Sequence, residues 1–231
     1  MIARSRALML GGLVGFLALI SNTTQADEPA TMAVKSAKPP QPIAAPISAA
    51  LDDQAISLSS DGKPFFEFWF RKPLPLAKAP GDGTLAIDTV AEGTLLGVLR
   101  IDQPRRDFRD EDLPPGVYTL RLGIQPENGN HQGVAPTRTF ALLIPAANDT
   151  KLDPIPHNEL MKVSATINAA KHPSNLNLQP VDDVSGDFPR LDEKNDAQHK
   201  VLLLKLPAQV GDSHDQTTLS FALVYQGTGQ L

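Results

Sequence analysis

Two runs of strict period-two alternation, joined by one polar loop, constrain this chain more than any other feature. Pro114-Pro115-Gly116 opens the first run with a turn, since two ring-locked residues lack N–H donors and Gly accepts positive φ. Tyr118, Leu120, Leu122 and Ile124 then alternate with Thr119, Arg121 and Gly123, the signature of a half-buried strand. In the second run Phe140, Leu142 and Ile144 alternate with Thr139, Ala141 and Leu143, and Pro145 ends it. The connecting residues Pro126 to Gly133 are too many for a tight hairpin, which leaves a wide hairpin or a crossing between sheets.

Similar segments recur between Pro, Gly and Asp. Strands are expected at Ile56–Ser59, Phe65–Arg71, Thr84–Thr89, Thr94–Asp102, Lys200–Leu206 and Thr217–Tyr225. In the second, Phe66, Phe68 and Phe70 fall on one side and Glu67, Trp69 and Arg71 on the other. One helix is expected over about 158–171. Asn158 serves as its N-cap, Leu160, Val163, Ile167 and Ala170 line one face, and His172-Pro173 ends it. The acidic segment 180–198 reads as a mobile surface loop. Seven or eight short antiparallel strands with one inserted helix predict a mainly β, immunoglobulin-like or prealbumin-like sandwich over residues 54–231.

The N-terminus reads as an export signal. Arg4 and Arg6 precede the uncharged apolar run Leu8 to Ile20, and Thr24-Gln25-Ala26 predicts cleavage after Ala26. The run is shorter than the roughly 20 residues a membrane span needs, so no span is expected after cleavage. Loss of 1–26 removes two Arg and no acid, moving the formal charge from -5 to -7. An acidic exported chain has no electrostatic reason to hold nucleic acid. With no Cys, disulfides, thiolate metal sites and a lipoprotein anchor are excluded. Residues 27–53, rich in Ala, Pro, Ser and Lys, read as a disordered linker with little apolar surface to offset ordering entropy.

The run Asp112-Leu113-Pro114-Pro115-Gly116-Val117-Tyr118-Thr119-Leu120 resembles the turn-and-strand motif of immunoglobulin-like and prealbumin-like modules in bacterial surface proteins. The resemblance implies a structural role, with the Tyr packed in the core. More broadly, the export signal, the Asn-Gly-Asn-His loop, the Leu-Leu-Ile-Pro-Ala strand end and the His-Pro helix end resemble a set of exported proteins from planctomycete-type bacteria. That likeness spans roughly residues 65–178 and implies no established activity.

Candidate chemistry is sparse. Five His are present, but no H-x-H, H-E-x-x-H or calcium-loop spacing occurs. Along a helix, rise alone sets His157 and His172 roughly 20 Å apart, and His199 and His214 flank a strand. His131 with His172 remains the open pair for copper or zinc. A hydrolase finds no G-x-S-x-G elbow, and the paired acids of Asp110-Glu111-Asp112 sit in a turn. Trp69, the single Trp, is either a stacking platform or covered by a second layer.

The expected protein is therefore a non-enzymatic binding or structural module of the bacterial envelope, periplasmic or at the cell surface, without cofactor. It takes an envelope protein or glycan through Asn128, Asn130, His131 and Trp69. The alternatives are a metal-binding protein using His131 and His172, and a hydrolase with no assigned catalytic residue.

Overall fold

Alternation of apolar and polar side chains commits most of the chain to sheet, and the two faces of that sheet are then covered differently. A computed structural model describes residues 29–80, 86–126, 135–194, 199–211 and 216–229. The first strands are β1 (Thr31–Ser36), β2 (Gln54–Ser60), β3 (Lys63–Phe70), β4 (Leu74–Leu76) and β5 (Leu95–Ile101). A two-residue ladder, β6 (Arg105–Arg106) with β7 (Asp112–Leu113), precedes β8 (Gly116–Ile124) and β9 (Thr139–Pro145). After them come β10 (Asn175–Gln179), β11 (Arg190–Lys194), β12 (His199–Val210) and β13 (Gln216–Gln226). Two helices are described, α1 (Ala45–Ala49) and α2 (His157–Ser164).

The strands lie in the order β1-β2-β3-β5-β8-β9-β10-β13-β12-β11, with antiparallel neighbours, and β4 adds a parallel pairing to β12. β10 is the corner of this path. Its first residues pair with β9, from Asn175↔Leu142 to Asn177↔Phe140, and its last two pair with β13, at Leu178↔Leu223 and Gln179↔Ala222. Beyond that corner the sheet curls back on itself. Phe65 of the β3 side stands 6.3 Å, centroid to centroid, from Tyr225 of β13. Phe66, Phe68, Leu120, Leu204 and Phe221 share one buried core, drawn from both sides of the corner.

Tyr118 is buried, and its hydroxyl donates to the Pro114 carbonyl at 2.9 Å. Phe66, Phe68 and Phe70 of β3 do face the main core, as does Phe65, and Trp69 faces the opposite side.

Several expectations change. The linker assigned to 27–53 is ordered structure from Thr31 onward. β1 pairs along β2 from Thr31↔Ser59 to Ser36↔Gln54, and α1 lays Ile47 against Trp69. A strand held by backbone bonds at a sheet edge needs few large side chains, which is why its composition concealed it. Trp69 is covered and cannot stack on a ligand: it is 1% exposed, and its indole N–H donates to the Ala37 carbonyl at 2.7 Å. The acidic stretch 180–198 contributes β11, paired with β12 from Arg190↔Leu203 to Lys194↔His199. The described part of the expected strand 84–89 is a 3-10 turn, Ala86–Thr89. The helix expected over 158–171 runs only His157–Ser164 and has no side-chain N-cap. Thr166 Oγ1 donates to the Val163 carbonyl at 2.7 Å, and the Lys171 N–H donates to Asn168 Oδ1 at 3.0 Å. Such local side-chain bonds compete with the next helical turn.

Candidate functional site

α2 packs across the outer face of β9, with Leu160 against Leu142 and Ile144. Where the β8–β9 pair runs out past the end of α2, a cavity of ≈ 290 Å³ remains. Ile124, Phe140 and Leu142 form its sheet wall, and His157 and Met161 of α2 form a second. A third comes from Phe108 and Arg109, set beside Pro173 and Asn175. Two backbone bonds hold that third wall together: Phe108 N–H to the Asn175 carbonyl at 3.0 Å, and Gly229 N–H to the Phe108 carbonyl at 2.9 Å. Pro126 and Ala135 also line the cavity. They are the described residues on either side of 127–134, so Asn128, Asn130 and His131 lie outside the described residues. Gly123 belongs to the sheet wall because a Cβ there would stand 2.3 Å from Leu142 Cδ1.

Charged groups gather behind the third wall. Asp107, 1% exposed, accepts backbone N–H groups on both oxygens. Oδ1 takes Arg109 at 2.8 Å and Glu111 at 3.0 Å, and Oδ2 takes Asn175 at 3.2 Å. Burial nevertheless raises its carboxyl to about 6, opposed by those three N–H donors and aided by the nearby Glu111 charge. Glu111 Oε1 lies 2.8 Å from His172 Nδ1 and 3.7 Å from Arg109 Nε. On the helix side Glu92 Oε1 accepts the Ile124 N–H at 3.0 Å and meets His157 Nδ1 at 2.9 Å. Each histidine is thus oriented by one glutamate through Nδ1.

Within this shell three polar atoms have no hydrogen-bond partner, Asn175 Oδ1, Arg109 Nε and Glu111 Oε2. Asn175 is 6% exposed and its Nδ2 donates to the Pro173 carbonyl at 3.1 Å, so only Oδ1 is left. A buried acceptor without a donor is costly, of order 1–3 kcal/mol.

The sequence-predicted pair of His131 and His172 is half described: His172 is exposed beside Glu111, while His131 lies outside the described residues. Among the described residues no three His, Asp or Glu side chains converge as metal ligands. The rise-based separation of His157 and His172 does not apply, because α2 stops at Ser164 and the chain doubles back. His157 and Pro173 consequently line the same cavity. Sequence reasoning overlooked Phe108, Arg109 and Asn175. One readable signal was Asn175-Leu176-Asn177-Leu178-Gln179, a period-two run with amides on one side. Another was Phe108, a lone aromatic within the charged run 105–112.

The buried Arg121 on β8 is fully engaged. Arg121, 0% exposed in its side chain, forks onto Asp149 at 2.7 and 2.8 Å. Its other donors go to the carbonyls of Gly93, Asp153 and Lys151, so it braces loops and offers nothing to a ligand. No described helix is long and apolar enough to cross a membrane. Compared with family models, curated proteins and solved structures, the chain matches none.

Proposed function

We propose that this chain is an exported, non-enzymatic binding module of the bacterial envelope, built on an immunoglobulin-like or prealbumin-like sandwich, and that its ligand enters the cavity between β8–β9 and α2. The single observation that carries the reading is the cavity itself, mostly apolar in lining, with His157, Arg109 and Asn175 as polar residues in its wall. A concave apolar site with few polar groups is the usual form of a small-ligand site. The basic, apolar and small-residue order of residues 1–26 supports export. Tyr118 bonded to Pro114 supports the sandwich reading.

The test is titration of the full chain with a neutral apolar fluorescent dye such as N-phenyl-1-naphthylamine, beside the plug variant Ala135→Phe. Saturable one-to-one binding by the native chain, lost in a plug variant that still melts cooperatively, is the expected result. Equal dye binding by both proteins would remove the cavity from consideration.

Metal binding through His131 and His172 stands as a second reading, favoured by one observation. Glu111 engages His172 at Nδ1, leaving Nε2 as the nitrogen a metal would take. A ligand at 100 times its dissociation constant adds about 2.7 kcal/mol. Copper or zinc should therefore raise the melting temperature by a few degrees in the native chain and in neither His131→Ala nor His172→Ala. An unchanged melt with both metals rules this reading out.

A further inference from the structure

We propose that the cavity holds a small apolar monocarboxylate, its hydrocarbon body against Phe108, Phe140, Leu142 and Met161 and its carboxylate on the terminal nitrogens of Arg109. The proposal rests on the reading of this cavity as the ligand site, and it names the ligand's chemistry. Among the described lining residues Arg109 alone carries a fixed charge, and none is an acid. Its guanidinium is engaged from one side only. The buried Nε faces Glu111 Oε1 at 3.7 Å, too far for a hydrogen bond, and has no other partner. Nη1 and Nη2 are not buried, have no acceptor among the described residues, and belong to a side chain 37% exposed. The backbone beneath them is fixed, because Asp107 Oδ1 accepts the Arg109 N–H at 2.8 Å and Phe108 bonds to Asn175. Two parallel N–H donors on a rigid plane match the two oxygens of a carboxylate.

The acids Asp107, Glu111 and Glu92 stand behind the lining, and each is turned elsewhere. Both oxygens of Asp107 accept backbone N–H groups. Glu111 turns Oε1 to His172 at 2.8 Å, and its unpartnered Oε2 is buried, so a cation in the cavity reaches neither. Glu92 Oε1 is taken by the Ile124 N–H and by His157. A ligand carboxylate on Nη1 and Nη2 therefore meets the guanidinium before it meets the Glu111 charge, and attraction falls with distance. His157, the other titratable residue of the described lining, offers only Nε2 and adds no negative charge in either protonation state. Size limits the rest of the ligand. At roughly 30 Å³ per water, ≈ 290 Å³ is room for about ten heavy atoms, the bulk of phenylacetate. The rings of Phe108 and Phe140 meet edge to face at 6.2 Å, and Met161 lines the helix wall. Such walls favour a hydrocarbon body over the hydroxylated ring of a sugar acid, which carries the same carboxylate.

The experiment is calorimetric titration of the full chain at neutral pH with phenylacetate, with its neutral amide and with phenethylamine, a cation of similar bulk. Phenylacetate should bind about tenfold or more tightly than the amide, and the amine should be the weakest of the three. In Arg109→Met the acid and the amide should bind alike. Arg109→Lys should keep part of the preference, since a point charge replaces the fork. Equal affinity of the native chain for acid and amide, tightest binding of the amine, or a preference that survives Arg109→Met overturns the proposal. The ranking of the three probes on the native chain decides even where a variant fails to fold. If the neutral dye binds and phenylacetate does not displace it, the ligand class is wrong and the cavity assignment survives. If the dye fails as well, both fall.

Discussion

Asp107 shows how one residue links the site to the stability of the fold. Its carboxyl is raised to about 6 from an ordinary value of 3.8, chiefly because burial disfavours the charged form. The folded chain therefore holds a proton there that the unfolded chain has already released, over the interval from about pH 4 to pH 6. Stability from this group is largest below that interval and declines as pH rises through it, then stays flat. A shift of this size corresponds to roughly 3 kcal/mol at neutral pH, as an upper figure. In Asp107→Asn the amide cannot titrate, although its Nδ2 also forfeits an accepted N–H and lowers stability at every pH. The stability of the native chain minus that of the variant, from urea unfolding, should fall between about pH 4 and pH 7. A difference independent of pH would show that Asp107 does not titrate in this window. None of this was legible in the run Arg105 to Asp112, where acids in a turn are ordinarily solvated. The burial of Asp107 depends on Asn175, 68 positions further along.

At the scale of elements, alternation was a sound guide and composition a poor one. β3, β8, β9 and β13 are legible because their large side chains repeat with period two, so either face can be assigned by counting. β1 and α1 are not legible, because one is an exposed edge held by backbone bonds and the other is five residues starting at Ala and Pro. Yet they cover the outer face of the sheet, where Ile43, Ile47, Ala55, Trp69, Leu95 and Val98 form a separate buried cluster. Deleting residues 1–53 strips Ile43 and Ile47 from that cluster, leaves β2 paired only with β3 and exposes the only indole. Each large apolar side chain exposed in this way costs about 1.5–3 kcal/mol. The truncated chain should melt well below the full chain, with tryptophan emission shifted to the red. Retention of the native emission maximum would mean that the N-terminal segment does not hold Trp69 in the dry. The point variant Ile47→Asp should move the emission in the same direction with every strand still present.

At the scale of the whole molecule, a curled sheet couples two halves that a flat sheet would leave apart. The chain enters the second half through β10, five residues that pair with β9 at one end and β13 at the other. Polar side chains brace this corner from within. Asn177 Nδ2 donates to Thr137 Oγ1 at 3.0 Å, and Gln179 Nε2 donates to Asn177 Oδ1 at 3.1 Å and to His199 Nδ1 at 3.0 Å. With that nitrogen accepting, His199 Nε2 donates to the Thr228 carbonyl at 3.1 Å. The corner was illegible because strand order is a long-range property, and a five-residue strand with amides on one side resembles a loop. The closure predicts a single cooperative unit, since Phe66, Phe68, Leu204 and Phe221, drawn from both halves, occupy one core that is larger than the separate clusters on the outer faces. Asn177→Leu removes the centre of the amide chain and leaves Gln179 with only one of its two acceptors, His199 Nδ1, at a cost of about 1–3 kcal/mol. Urea unfolding of this variant should be followed by Trp69 fluorescence for the first half and by methyl resonances of Leu223 for the second. Both probes should move to lower urea together, with one shared midpoint, because loss of the corner weakens the core that the two halves share. Separate midpoints for the two probes would mean that the halves fold as independent sheets and that β10 merely connects them.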